Sequence, residues 1–314
     1  MSIQQSTLID RLKNVDRWLP RMHDRTGRRV SRPARPRPES LEISSYLDDD
    51  LRITQTSQPS LDEVIERLDA GDLPEHGALL GSCDDSLPFL LDLANPSPGA
   101  LLMTSDSGGG KTALIRSILT SASRMNPPER VCFDLIAAQP DEYQQLETSA
   151  HCRSIQPVED SGVDELISQL VRLADKRKKT GPVDPAVILA IDGLASLLPF
   201  LSEEAFSNLY WLIRHGPRYM IWTIAALPSA QAQQVEPRYL TAFRTRLFGY
   251  MRDERLAHRM ANDDSIAARD LEKGRQFYVP YGGDWLRFWI CTETGADALN
   301  IPTDISLDLE GGVG

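Results

Sequence analysis

One stretch constrains this chain more than any other. Ser105-Asp106-Ser107-Gly108-Gly109-Gly110-Lys111-Thr112 stands directly after an apolar run, Ala100 to Ser105, and directly before a helical pattern from Gly110 to about Arg124. Strand, glycine-rich turn and helix in that order let backbone N–H groups converge on phosphate oxygens, while the helix N-terminus adds partial positive charge. Ser107, Gly108, Gly109 and Gly110 would then form the cradle. Lys111 would reach the β- and γ-phosphates of a nucleotide, and the Thr112 hydroxyl would ligate magnesium. The general pattern G-x-x-x-x-G-K-[ST] has glycine where Ser105 stands, and serine closes such a turn only if its φ stays negative. Asp106 places a negative charge beside the cradle, so it must point away for a phosphate to bind well. The same residues also fit a glycine-rich turn that carries a chance lysine.

A second run supports the nucleotide reading. Ala186-Val187-Ile188-Leu189-Ala190-Ile191-Asp192 is an apolar strand ending in a carboxylate, as expected of an aspartate that holds magnesium through water. Many ATPases of this class follow that aspartate with a glutamate that activates the attacking water; here Gly193 follows. Loss of a positioned base costs ~10²- to 10⁴-fold in rate. Glu203 and Glu204 come next in the chain, but they open a helical pattern and suit its dipole.

The surrounding text alternates buried strands, at Val131–Ala137, Val187–Ile191, Met220–Ala226 and Leu247–Met251, with helices at 162–178 and 203–214. That order predicts an α/β fold with a mainly parallel central sheet covered on both faces. Two hairpins flank it: an early one from Ala78–Leu80 and Leu87–Leu91, and a C-terminal β-hairpin from Gln276–Val279 and Leu286–Cys291. A helix over 60–68 is expected from Ser60 and Glu63, which have capping-box spacing. The basic run Lys176–Lys179 ends the 162–178 helix and suits its negative pole.

Charge divides the chain unevenly. Its net charge is −11, yet residues 1–38 carry ten Arg/Lys against three Asp. Within them Leu8, Leu12, Val15, Leu19 and Met22 give an amphipathic helix suited to docking on a partner protein. Arg25–Pro38 is too polar and proline-rich to bury a core, which makes residues 1–38 a flexible N-terminal arm. It reads equally as a solvated tether or as a segment that meets nucleic acid, acidic lipid or the acidic body. The expected organisation is therefore arm 1–38, a leading segment 39–74, a nucleotide-binding domain 75–296 and a tail 297–314. The four cysteines form no C-x-x-C pair, and no apolar stretch is long enough for a transmembrane segment, so the expectation is a cytoplasmic protein with reduced thiols.

Over roughly residues 75–292 the sequence resembles the FtsK/HerA family of motor ATPases. Gly108, Gly110, Lys111 and Thr112 match the family's G-x-x-G-x-G-K-S, and Thr223–Ser229 looks like its sensor strand A-T-Q-R-P-S. Phe243-Arg244-Thr245-Arg246-Leu247 is similar to its F-P-T-R-I, and the hairpin over 274–291 to its closing hairpin. The resemblance implies a RecA-like P-loop NTPase core with ATP and Mg²⁺ as cofactors. Asp192 and Thr112 would be the metal-holding residues, and Asp192 with Arg246 (or Arg244) the catalytic ones, the arginine serving a neighbouring subunit's γ-phosphate. It also implies a ring-shaped homo-oligomer, or a hetero-complex with an active ATPase.

The departures from the family cluster. Ser105, Gly193 and Leu227 stand where it has a loop glycine, a glutamate and a polar sensor residue. That pattern is similar to the degenerate modules of type VII secretion motors and implies weak or lost hydrolysis in a scaffold or regulatory subunit. The competing expectation is an active, hexameric ATP-dependent DNA translocase with DNA as partner.

Overall fold

Seven consecutive buried residues in each of Val131–Ala137 and Gly77–Cys83 require cover on both sides, and the computed structural model supplies it. It describes residues 58–68 and 73–292; the amphipathic helix, the basic tether and the 297–314 tail lie outside the described residues. Ten strands form one sheet: β1 (Gly77–Cys83), β2 (Pro88–Asp92), β3 (Leu101–Ser105), β4 (Val131–Ala137), β5 (Cys152–Pro157), β6 (Ala186–Asp192), β7 (Ile221–Pro228), β8 (Thr245–Phe248), β9 (Gln276–Tyr281) and β10 (Asp284–Trp289). Their order across the sheet is β2-β1-β10-β9-β8-β3-β7-β6-β4-β5.

The sheet has two parts. From β8 to β5 all pairings are parallel, whereas β8 with β9, and β9, β10, β1 and β2 in turn, pair antiparallel. In the parallel part each strand alternates its side chains between two cores. Ile188 and Ala190 of β6 join the core beneath the helix Lys111–Met125, with Leu114, Ile118 and Ala122. Val187, Leu189 and Ile191 face the other core, built from the helices Val163–Thr180 and Glu203–His215 through Ile167, Leu170, Leu209 and Leu212. A strand apolar on both faces is what such double cover selects.

The expected hairpins form at β1/β2 and β9/β10. Ser60 and Glu63 make the full capping box at the head of Leu61–Glu66, whose Leu61 and Val64 pack on Leu79, Leu90 and Cys291. Beside that helix, Thr292 donates its N–H to the Pro59 carbonyl at 2.9 Å and accepts from Leu61 N–H at 2.8 Å. Four elements differ from the sequence reading. β5 is an edge strand without an apolar run, the helices Pro237–Ala242 and Glu254–Ala261 are additional, and β8 starts at Thr245 because it pairs with β3 from Leu101 onward.

Candidate nucleotide-binding site

Parallel pairing places the C-terminal ends of β3, β7, β6 and β4 along one edge of the sheet, with Ser105 opposite Pro228 and Asp192 opposite Ala226 and Ala137. The loop Ser105–Thr112 leaves from that edge. Ser107 and Gly108 are exposed at its crest, and Gly110 caps the helix in the left-handed region at φ +86°. A Cβ on Gly110 would also come within 2.7 Å of the Gly274 carbonyl, so glycine is required there twice over. Ser105 lies at the end of β3 without positive φ, which meets the condition that its substitution for glycine imposed.

Lys111 is 9% exposed and folded along its own loop. Its Nζ donates to the Ser105 carbonyl and Oγ, both at 3.1 Å, and to the Asp106 carbonyl at 2.9 Å. Burial holds its ammonium below the usual lysine range, opposed by the charges of Asp192 and Asp106 and assisted by Lys273. The Nζ of exposed Lys273 lies 3.7 Å from where a Cβ on Gly108 would stand, so a second cation borders the crest of the loop.

The carboxylate of Asp106 is engaged on the side of the loop that faces β7 and β8. It accepts from the Ser229 hydroxyl, just beyond β7, and from the Arg252 backbone N–H at 2.9 Å. These partners occupy both of its oxygens and tie the loop to the ends of two neighbouring strands.

Across from the loop, the Thr112 hydroxyl donates to Asp192 Oδ2 at 2.7 Å. The two residues are eighty positions apart in the chain, and the fold brings them together. Tyr143, buried in the turn after β4, donates its hydroxyl to the same Oδ2 at 2.7 Å. Desolvation, then the adjacent Asp192 charge, pushes the Tyr143 phenol far above its ordinary range, so it stays a donor. Both side-chain hydrogen bonds to Asp192 among the described residues fall on Oδ2, which leaves Oδ1 for other partners. The neighbouring Glu142 carboxyl is raised by desolvation and by Asp192, against the pull of Arg116.

Magnesium keeps several waters and takes one or two protein oxygens together with substrate phosphates. Thr112 and Asp192 fit that demand. Among the described residues no three His, Cys, Asp or Glu side chains converge into an all-protein metal cage.

The hydrolytic side differs. Gly193 adopts φ +113° and turns the chain at once into the short helix Leu194–Leu197. Leu227 is fully buried in the core with Leu189 and Ala225 and presents no polar group. Glu203 and Glu204 lie in the first turn of the helix capped by Ser202, as their dipole role requires. Arg246 is half-buried, and its guanidinium donates to the carbonyls of Met260 at 2.8 Å and Leu240 at 2.7 Å. Arg244 is exposed, with its stem packed against Gly99. Tyr143 and Lys273 border the candidate site without having been marked as site residues by the motif reading.

No family model matches the sequence, and no curated protein matches it. Solved structures do. ATPases 2 and 3 of EssC from Geobacillus thermodenitrificans superpose with a TM-score of 0.61 at 13% identity, over 73% of this chain and 47% of that one. The cytoplasmic domain of the type VII secretion ATPase EccC from Thermomonospora curvata gives 0.60 at 16%, over 77% and 33%. The pCW3 conjugation coupling protein TcpA, solved with ATPγS, gives 0.58 at 19%, over 74% and 69%. The fold is that of FtsK/HerA-type P-loop ATPases. This FtsK/HerA-like chain spans about half of the EssC structure and a third of the EccC one. No helix among its described residues is long and apolar enough to cross a membrane.

Proposed function

We propose that this chain binds ATP with Mg²⁺ through Ser107–Thr112 and Asp192, hydrolyses it slowly or not at all, and serves as a cytoplasmic scaffold or regulatory subunit of a larger assembly. The observation that carries the reading is the contrast at the end of β6. Asp192 is in hydrogen-bond contact with Thr112, while the next residue, Gly193, turns away in a left-handed conformation with no carboxylate to offer. Backbone amides and Lys111 would hold the phosphates, and Thr112 with Asp192 would hold the metal. Bound there, Mg²⁺ would neutralise phosphate charge and orient the terminal phosphate. EccC is a type VII secretion ATPase and TcpA a conjugation coupling protein, which supports assembly as a ring of copies or beside an active ATPase. Arg244 is exposed, and Arg246 donates to two carbonyls of its own chain.

Isothermal titration with ATP and Mg²⁺, paired with a phosphate-release assay, tests this. Micromolar-range binding that Lys111→Ala weakens by about two orders of magnitude, with turnover far below ~1 s⁻¹, the low end for ordinary enzymes, is the expected result. Turnover at motor rates with salt-sensitive DNA binding would favour the second reading, a hexameric DNA translocase. That reading is supported by the fold and by the basic 1–38 segment, and opposed by Gly193 and Leu227.

A further inference from the structure

Asp192 carries two hydrogen bonds on one oxygen, and only one of them comes from the phosphate loop. The other, from Tyr143, depends on the turn after β4. Ala138 N–H donates to the Asp192 carbonyl at 3.0 Å, and the turn Pro140–Tyr143 then brings the phenol inward, 1% exposed, to Oδ2. A phenol buried this deeply needs an acceptor, and a carboxylate at 2.7 Å supplies a charge-assisted one. With Thr112 on the same oxygen, the carboxylate is held from two elements of the fold and its Oδ1 edge stays open.

We infer that Tyr143 is a positioning residue of the magnesium site: it fixes the Asp192 carboxylate from the turn after β4, through the same oxygen that Thr112 holds, so that Oδ1 is presented to the metal's water shell. The inference rests on the nucleotide-binding reading and deepens it. Gly193 makes such a support useful, because a backbone at φ +113° with no side chain leaves that flank of Asp192 without a neighbour of its own.

The test is ATP titration of the full chain, with Mg²⁺ and with EDTA, for wild type, Tyr143→Phe, Asp192→Asn and the double variant. Loss of one charge-assisted hydrogen bond predicts about tenfold weaker ATP binding in Mg²⁺ for Tyr143→Phe and unchanged binding in EDTA. In the Asp192→Asn background the same change has no further effect on binding in Mg²⁺. Equal loss with and without metal, or no loss in either, overturns the assignment, as does full additivity in the double variant. Thermal unfolding of the Phe variant reports whether it folds; should it not, Tyr143→His, which keeps a ring donor, must restore the metal dependence or the idea fails. Absence of ATP binding by wild type in both arms would sink the nucleotide reading itself, and the inference with it.

Discussion

The two flanks of the candidate site differ in what holds them. On the loop flank, polar devices are retained and densely bonded: Lys111 has three acceptors, Asp106 has two donors, and Thr112 reaches Asp192. On the flank formed by the ends of β6 and β7, the matching positions hold a left-handed glycine and a core leucine. The lesson is that binding and turnover draw on separate structural resources. The first depends on backbone curvature and hydrogen bonds within the loop, the second on side chains at positions that here hold Gly193 and Leu227.

Substitutions on either flank test that contrast. The largest change is expected from Leu227→Asn, which leaves a cavity and places an unpaired amide in the core; it costs about 3 kcal/mol or more in urea unfolding and brings no gain in phosphate release. Lys111→Ala comes next. It removes charge-assisted contacts to phosphate worth about 2–3 kcal/mol, read as a 30- to 150-fold loss of ATP affinity with little change in stability. Gly193→Glu restores the family's carboxylate in sequence only: at φ +113° a side chain costs about 1–3 kcal/mol, and turnover stays at the wild-type level. A variant that hydrolyses ATP rapidly would show that the loss is one of chemistry alone.

The smallest effect concerns pH. Burial lowers the Lys111 pKa from 10.5, so the free protein loses that proton earlier than an ordinary lysine would. Phosphate binding favours the charged form; ATP affinity therefore falls as pH rises through the lowered value, and binding there takes up a proton. Titration in buffers of different ionisation enthalpy reads that uptake directly, and Lys111→Ala removes it.

The central strands were open to reading because each is apolar on both faces and bounded by glycine or charge: β4 keeps the predicted limits, and β6 and β7 keep theirs to within two residues. The loop and Asp192 were legible for a different reason, since phosphate chemistry demands particular residues at a particular spacing. β5 was not, because an edge strand with only partial burial needs no apolar run. Tyr143 was equally hidden. Its role depends on the in-register pairing of β4 with β6, which sets a turn residue beside a strand-end carboxylate 49 positions away, and no local pattern encodes that distance. The partners of Arg246 were hidden in the same way: its motif position says nothing of the two carbonyls, of Met260 and Leu240, that its guanidinium meets.

The backbone clasp between Thr292 and the pair Pro59 and Leu61 has a mechanical meaning. The polypeptide enters and leaves the described body side by side, next to β1 and β10 and several strands removed from β3 and β6. Tension applied between those two points would shear this short bridge first, so the strands that carry the nucleotide loop would stay unloaded until the clasp gave way.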